Sequence, residues 1–267
     1  MKLALSGRIF EESYQKNDLS LRTFAGIAAR LGYRGVELRT TQVTPETPAA
    51  VLREHKRLLD DHGLTVVCLE ARGYPVLDDE TVLRQALDMT AALGGRLIKM
   101  GGEPGRTARC AEIAAGYGIA LALNNHIGTE EKPGWTETLE RTADYLRRVN
   151  HPNFGILYDP AHLFISGSDY GPTALARLKG QIRNVLFQSV VETDEPAAEI
   201  DFHGRFFRTA PAGTPGGPDW TAVLRGLKTI GYDGWITVVA ARPNAGDPAT
   251  AAQEHYRYLV SLTGKAS

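Results

Sequence analysis

Short β-rich runs alternate with longer helical ones from end to end of the 267-residue chain, and this alternation limits the fold more than any other feature. The β-rich runs are LALS (3–6), GVELR (35–39), TVVCLEA (65–71), RLIKM (96–100), IALALNN (119–125), FGILYD (154–159), RNVLFQSVV (183–191) and WITVVA (235–240). Helical periodicity predicts helices over about 20–31, 48–62, 79–92, 106–116, 136–148, 171–178, 219–230 and 249–262. Each spacing between β runs is too long for a hairpin, so neighbouring strands must be parallel with helical crossovers. Eight such units without a break in composition predict a single (β/α)8 barrel domain over residues 1–267 rather than an open doubly wound sheet. The first strand–helix turn, SGRIFEES, also lacks the glycine fingerprint of a dinucleotide-binding open sheet. Two connections are longer than the rest, 126–135 and 192–219. Both follow strands, the side on which barrels keep their chemistry, and the second is expected to fold over the mouth.

Composition narrows the function classes. With 30 basic and 31 acidic residues, the formal charge of −1 supplies no field for a polyanion, so nucleic acid is not an expected partner. Two cysteines, Cys68 and Cys110, cannot build a disulfide framework and suit a reducing compartment. The N-terminal run is too short for a signal peptide, and no stretch reaches the roughly 18 apolar residues of a membrane span. The expectation is a soluble, cytoplasmic chain with no membrane partner.

Strand parity then selects candidate site residues, because alternate side chains face opposite sides. If Val36, Leu38, Val67, Leu69, Ile98, Met100, Leu121, Leu123, Ile156, Tyr158, Val185 and Phe187 face the helices, a polar set is left inside. That set is Glu37, Arg39, Glu70, Arg72, Lys99, Asn124, His126, Asp159 and Gln188, all at C-terminal strand ends. One or two could be core ion pairs, Glu37–Arg39 or Glu70–Arg72, but burying so many polar groups without a ligand is costly. Carboxylates and an imidazole move protons; Arg39, Arg72 and Lys99 can hold an oxyanion; Asn124 and Gln188 suit a polyhydroxylated ligand. No nucleophile elbow, phosphate-binding glycine loop or CxxC signature occurs. Proton abstraction next to a carbonyl is the chemistry this inventory supports best.

Four segments in order carry a family resemblance: GYRGVELR (32–39), ALNNH (122–126), YDPAH (158–162) and TPGGPDWTAVLRGLKTIGYDGWITV (214–238). They resemble the xylose isomerase-like TIM barrels, the sugar phosphate isomerase/epimerase group. The resemblance implies a sugar or sugar-like polyol as substrate, and isomerisation, epimerisation or carbonyl-assisted elimination as the reaction. It also implies a divalent metal, manganese or magnesium, on glutamate, aspartate, histidine and glutamate of the fifth to eighth strands. The matching positions here hold Asn124, Asp159, Leu186 and Val239, so only Asp159 keeps its ligand. No glutamate lies in 229–247 and no histidine in 182–195 to replace the others. The second substrate-contacting histidine of the family matches His162.

One carboxylate and one amide make a weak dication site, so the expectation is an enzyme without a metal cofactor in which Lys99, Arg39 and Arg72 supply the positive charge. Its base is one of Glu70, His126 or Asp159. The competing reading is a catalytically silent barrel that binds a carbohydrate or serves as an assembly subunit, and self-association is left open. A DNA-repair endonuclease on the same barrel fits less well, because the multi-zinc positions are substituted and the charge is neutral.

Overall fold

The computed structural model describes residues 1–267 except 14, 15, 18, 72–76, 130, 196, 197, 240–246 and 264–267. Its eight principal strands are β1 (Lys2–Ser6), β2 (Gly35–Leu38), β3 (Thr65–Glu70) and β4 (Leu97–Lys99), followed by β5 (Ala120–Asn124), β6 (Phe154–Tyr158), β7 (Ile182–Phe187) and β8 (Trp235–Val238). Each pairs in parallel with its neighbours in sequence, and β1 closes on β8, which completes the expected barrel. The helices are α1 (Leu21–Leu31), α2 (Ala49–Asp61), α3 (Glu80–Ala92), α4 (Pro104–Ala115), α5 (Leu139–Val149), α6 (Pro160–Ile165), α7 (Pro172–Arg177), α8 (Trp220–Thr229) and α9 (Pro248–Thr263).

Local chemistry sets their ends. The Ser20 hydroxyl accepts from Thr23 N–H at 3.1 Å to open α1, and Gly32 at φ 97° closes it in the left-handed region. Short α6 went unforeseen. It is opened by Asp159, whose carboxylate accepts from the Ala161 and His162 amides, with Pro160 at the first helical position. None of the helices in the described residues is long and apolar enough to cross a membrane.

Parity holds on most strands. Val36, Leu38, Leu121, Ile156, Tyr158, Val185 and Phe187 pack with the helices in the main core. Ala4, Cys68, Leu97, Ala122, Leu157, Leu186 and Val239 fill the barrel interior. Val67 departs from its expected helix-facing place and joins the interior group, because the β2–β3 register skips it: Val36 pairs with Val66, but Glu37 pairs with Cys68. A bulge adds one residue and so reverses parity on one side of it. Above this apolar plug lies the polar layer of strand ends.

The run at 183–191 is two strands rather than one. After β7 the chain leaves the barrel and Val190–Thr193 enters a separate antiparallel sheet with Ile200–Phe202 and Arg205–Thr209. His203 and Gly204, at φ 53° and 77°, make the two-residue turn between the last two, so His203 is an exposed turn residue. Phe207 is fully buried against Phe164 of α6, ring centroids 5.9 Å apart, in a small core with Ala161, Ile165, Val190 and Phe202. The segment expected to be a loop is thus a sheet fastened to α6, the helix that begins at Asp159.

Candidate active site

The C-terminal mouth of the barrel holds a cleft of about 510 Å³, counting its open side, lined by Arg8, Arg39, Lys99, Asn124, His126, Asp159, His162, Leu186, Gln188 and Val239. Six of the expected polar strand-end residues therefore meet in one cavity, and His162 joins them from α6. Glu37 and Glu70 are buried and are not among the residues that line the cleft. Arg39 pairs with Glu70, with Glu37 at 3.6 Å and with Glu11 at 3.3 Å, so one guanidinium is shared among three carboxylates. Ser6 donates to Glu37 at 2.6 Å and Thr41 to Glu11 at 2.7 Å. Burial opposes the charged form of Arg39, but the carboxylates of Glu37, Glu70 and Glu11 outweigh it and hold the proton more tightly than usual. Arg72, expected beside Glu70, lies outside the described residues, as does Arg242.

Asp159 is the carboxylate that faces the cleft. It is fully buried. One oxygen accepts from Ala161 N–H at 3.1 Å and His162 N–H at 3.4 Å; the other accepts from the Gln188 amide. Burial pushes its pKa up from 3.8 to about 6, against the opposing pull of the Gln188 hydrogen bond and the charges of His126 and Lys99. The His126 and His162 rings stack at 3.9 Å with a tilt of 34°, and His162 Nε2 lies 3.8 Å from the Asp159 carboxylate. His126 Nδ1 sits 2.5 Å from the Ile127 carbonyl; the tautomer in which Nδ1 donates leaves Nε2 with a basic lone pair.

Lys99, on β4, is only 6% exposed. Among the described residues its ammonium makes no hydrogen bond or ion pair, although it lines the cleft and acts through space on Asp159 and on Cys68 beneath. Burial pushes the Cys68 thiol well above its ordinary value, so it is a neutral filler of the barrel.

Three contributors escaped the sequence reading. Asn125, fully buried, accepts from Asp159 N–H at 2.8 Å and donates to Asp159 O at 2.6 Å, fixing the end of β6 to the end of β5. Parity points it away from the lumen, and only its place in ALNNH, beside Asn124 and His126, marked it. Glu11 follows the 3-10 turn Gly7–Phe10, where the parity of β1 no longer applies. Glu137 accepts from Gly128 N–H at 2.9 Å and Gly134 N–H at 3.1 Å, which ties Gly128 to Gly134 within the connection after β5.

The positions matched to the family's metal ligands, Asn124, Asp159, Leu186 and Val239, all line this cleft. They present an amide, one carboxylate and two alkyl groups, and the carboxylate oxygens already accept three N–H groups. Among the described residues no three His, Cys, Asp or Glu side chains are grouped to hold an ion. This donor set does not fit a hard dication, which needs several oxygen or nitrogen ligands and anionic charge to offset its desolvation.

Residues 25–262 match the xylose isomerase-like TIM barrel family. An inosose dehydratase of Lactiplantibacillus plantarum is 31% identical over 155 residues, 55% of this chain and 49% of that protein. The chain thus spans about half the length of that relative, and 72% of an inosose dehydratase of Lacticaseibacillus casei, 28% identical over 82% of this chain. Among solved structures, the zinc-bound IolI protein superposes with a TM-score of 0.74 at 19% identity, over 100% of this chain and 99% of that one, a likeness of fold.

Proposed function

Because this chain belongs to the xylose isomerase-like TIM barrel family, we propose that it removes a proton next to the carbonyl of a sugar or sugar-like polyol, without a bound dication. The observation that carries the reading is Asp159: a fully buried carboxylate with a pKa of about 6, facing a polar cleft beside two imidazoles and a buried ammonium. A base poised near neutral pH is both ionised enough to accept a proton and basic enough to take one from carbon.

Asp159 takes the α-proton, and the electron pair moves onto the carbonyl oxygen. The cationic wall of Arg8, Arg39 and Lys99 and the amide of Asn124 hold the resulting enediolate oxygen, the task a metal performs where one is present. His126, through Nε2, exchanges a proton with a substrate hydroxyl. Returning the proton to carbon yields an isomer or epimer; protonating a β-hydroxyl instead expels it as water. The inosose dehydratases among the relatives favour the second outcome.

The test is solvent deuterium incorporation, followed by proton NMR, for an inosose and a set of ketoses with chelator-treated protein. Label enters the α-position, and Asp159→Asn slows entry by about 100-fold or more. No label from any of these substrates refutes proton abstraction; label that enters only after manganese or magnesium is restored refutes the metal-free reading.

A further inference from the structure

The three cations that line the cleft are not equivalent. Arg39 is shared among Glu11, Glu37 and Glu70, and Arg8 reaches Glu11, with its NH1 3.2 Å from the Glu11 carbonyl and 3.8 Å from its carboxylate. Lys99 is 6% exposed, lines the same cavity and has no carboxylate within ion-pairing distance among the described residues. Its neighbour Glu70, opposite it in the β3–β4 register, is turned to Arg39. Asp159 shares the cavity but makes no ion pair with Lys99, and its oxygens accept from the Ala161 and His162 amides and from Gln188. A buried ammonium without an anionic partner is expensive to keep, so its partner is expected to arrive with the ligand. The cleft wall around it presents Asn124 and Gln188, which can donate or accept, and the alkyl groups of Leu186 and Val239.

We propose that Lys99 heads an anion subsite and that the ligand of this cleft is a sugar acid, whose carboxylate pairs with the Lys99 ammonium while its hydroxyls reach Asn124, His126 and Gln188. This rests on the polyol reading above and deepens it. The permanent charge belongs to the substrate and is separate from the transient charge of the enediolate.

The experiment measures thermal stabilisation and calorimetric binding of the full chain with D-gluconate and D-glucuronate, against the neutral D-glucitol and D-glucose, and against manganese chloride. The acids bind and raise the melting temperature; the neutral polyols at equal concentration and manganese do not. Lys99→Met weakens acid binding about tenfold or more, the loss of one charge-assisted hydrogen bond, and raises the melting temperature of the free protein. Should Lys99→Met fail to fold, Lys99→Gln and competition by sodium chloride in the natural protein give the same readout. Binding of neither acid, equal binding of acid and neutral polyol, unchanged acid affinity in the Lys99 variant, or saturable manganese binding lost with Asp159→Asn each overturn the proposal. Acid binding through Lys99 with no deuterium incorporation refutes the proton-abstraction reading and leaves the anion subsite standing. Label entering neutral ketoses while both acids fail to bind does the reverse.

Discussion

Replacing Asp159 with asparagine is expected to make the protein more stable at neutral pH while removing its activity. The carboxyl is fully buried, and burial raises its pKa from 3.8 to about 6. A raised folded-state pKa means that the native protein holds the proton more tightly than the unfolded chain does. Its contribution is therefore fully present below about pH 4, and is lost as the pH rises through about 6. The separation of the two values corresponds to about 3 kcal/mol. Asparagine keeps an oxygen for the Ala161 and His162 amides and carries no charge to desolvate, and a rotation of the Gln188 amide restores that contact. The variant should match the natural protein near pH 4 and exceed it above pH 6.5 by about 3 kcal/mol, or about 6–12 °C in melting temperature. Calorimetric scans of both proteins from pH 4 to pH 8 make the comparison. Parallel pH curves for the two proteins, or a variant that is less stable at pH 7, would show that desolvation of this carboxylate is not the governing cost. For the proposed proton abstraction the same ionisation predicts an acid limb centred near pH 6, with the rate of label entry rising above it.

Three other perturbations probe the supports of the site. Asn125→Ala leaves the buried Asp159 N–H unpaired and its carbonyl with only the Leu163 N–H at 3.4 Å, and should cost about 1–3 kcal/mol in urea unfolding, with loss of proton-exchange activity. Arg39→Met strands Glu11, Glu37 and Glu70 together and should cost about 3–5 kcal/mol at pH 7, read by urea unfolding. Glu137→Ala should raise amide hydrogen exchange at Gly128 and Gly134 about tenfold while lowering the melting temperature by only about 2–4 °C, because it frees the 126–135 connection without disturbing the barrel.

The amino-acid order by itself determines the barrel, since β runs and helical runs that repeat at crossover length have few other ways to bury their apolar faces. It also determines which strand ends are polar inside, because parity is a local property: Lys99, Asn124, Asp159 and Gln188 were legible and meet in one cleft. Parity failed at Val67, where a bulge set by pairing with the neighbouring strand adds a residue that no local pattern announces.

What only the tertiary structure decided is how the charges are apportioned. Glu37, Glu70, Arg39 and Lys99 look alike in sequence, each an inward ionisable group at a strand end. Side-chain reach across strands commits Arg39 to Glu37, Glu70 and Glu11, and leaves Lys99 without a carboxylate partner among the described residues. The same holds for Asp159, whose basicity comes from complete enclosure by elements distant in the chain. Pairing and desolvation depend on distances of a few ångströms between segments far apart in sequence, and those distances exist only once the barrel has closed.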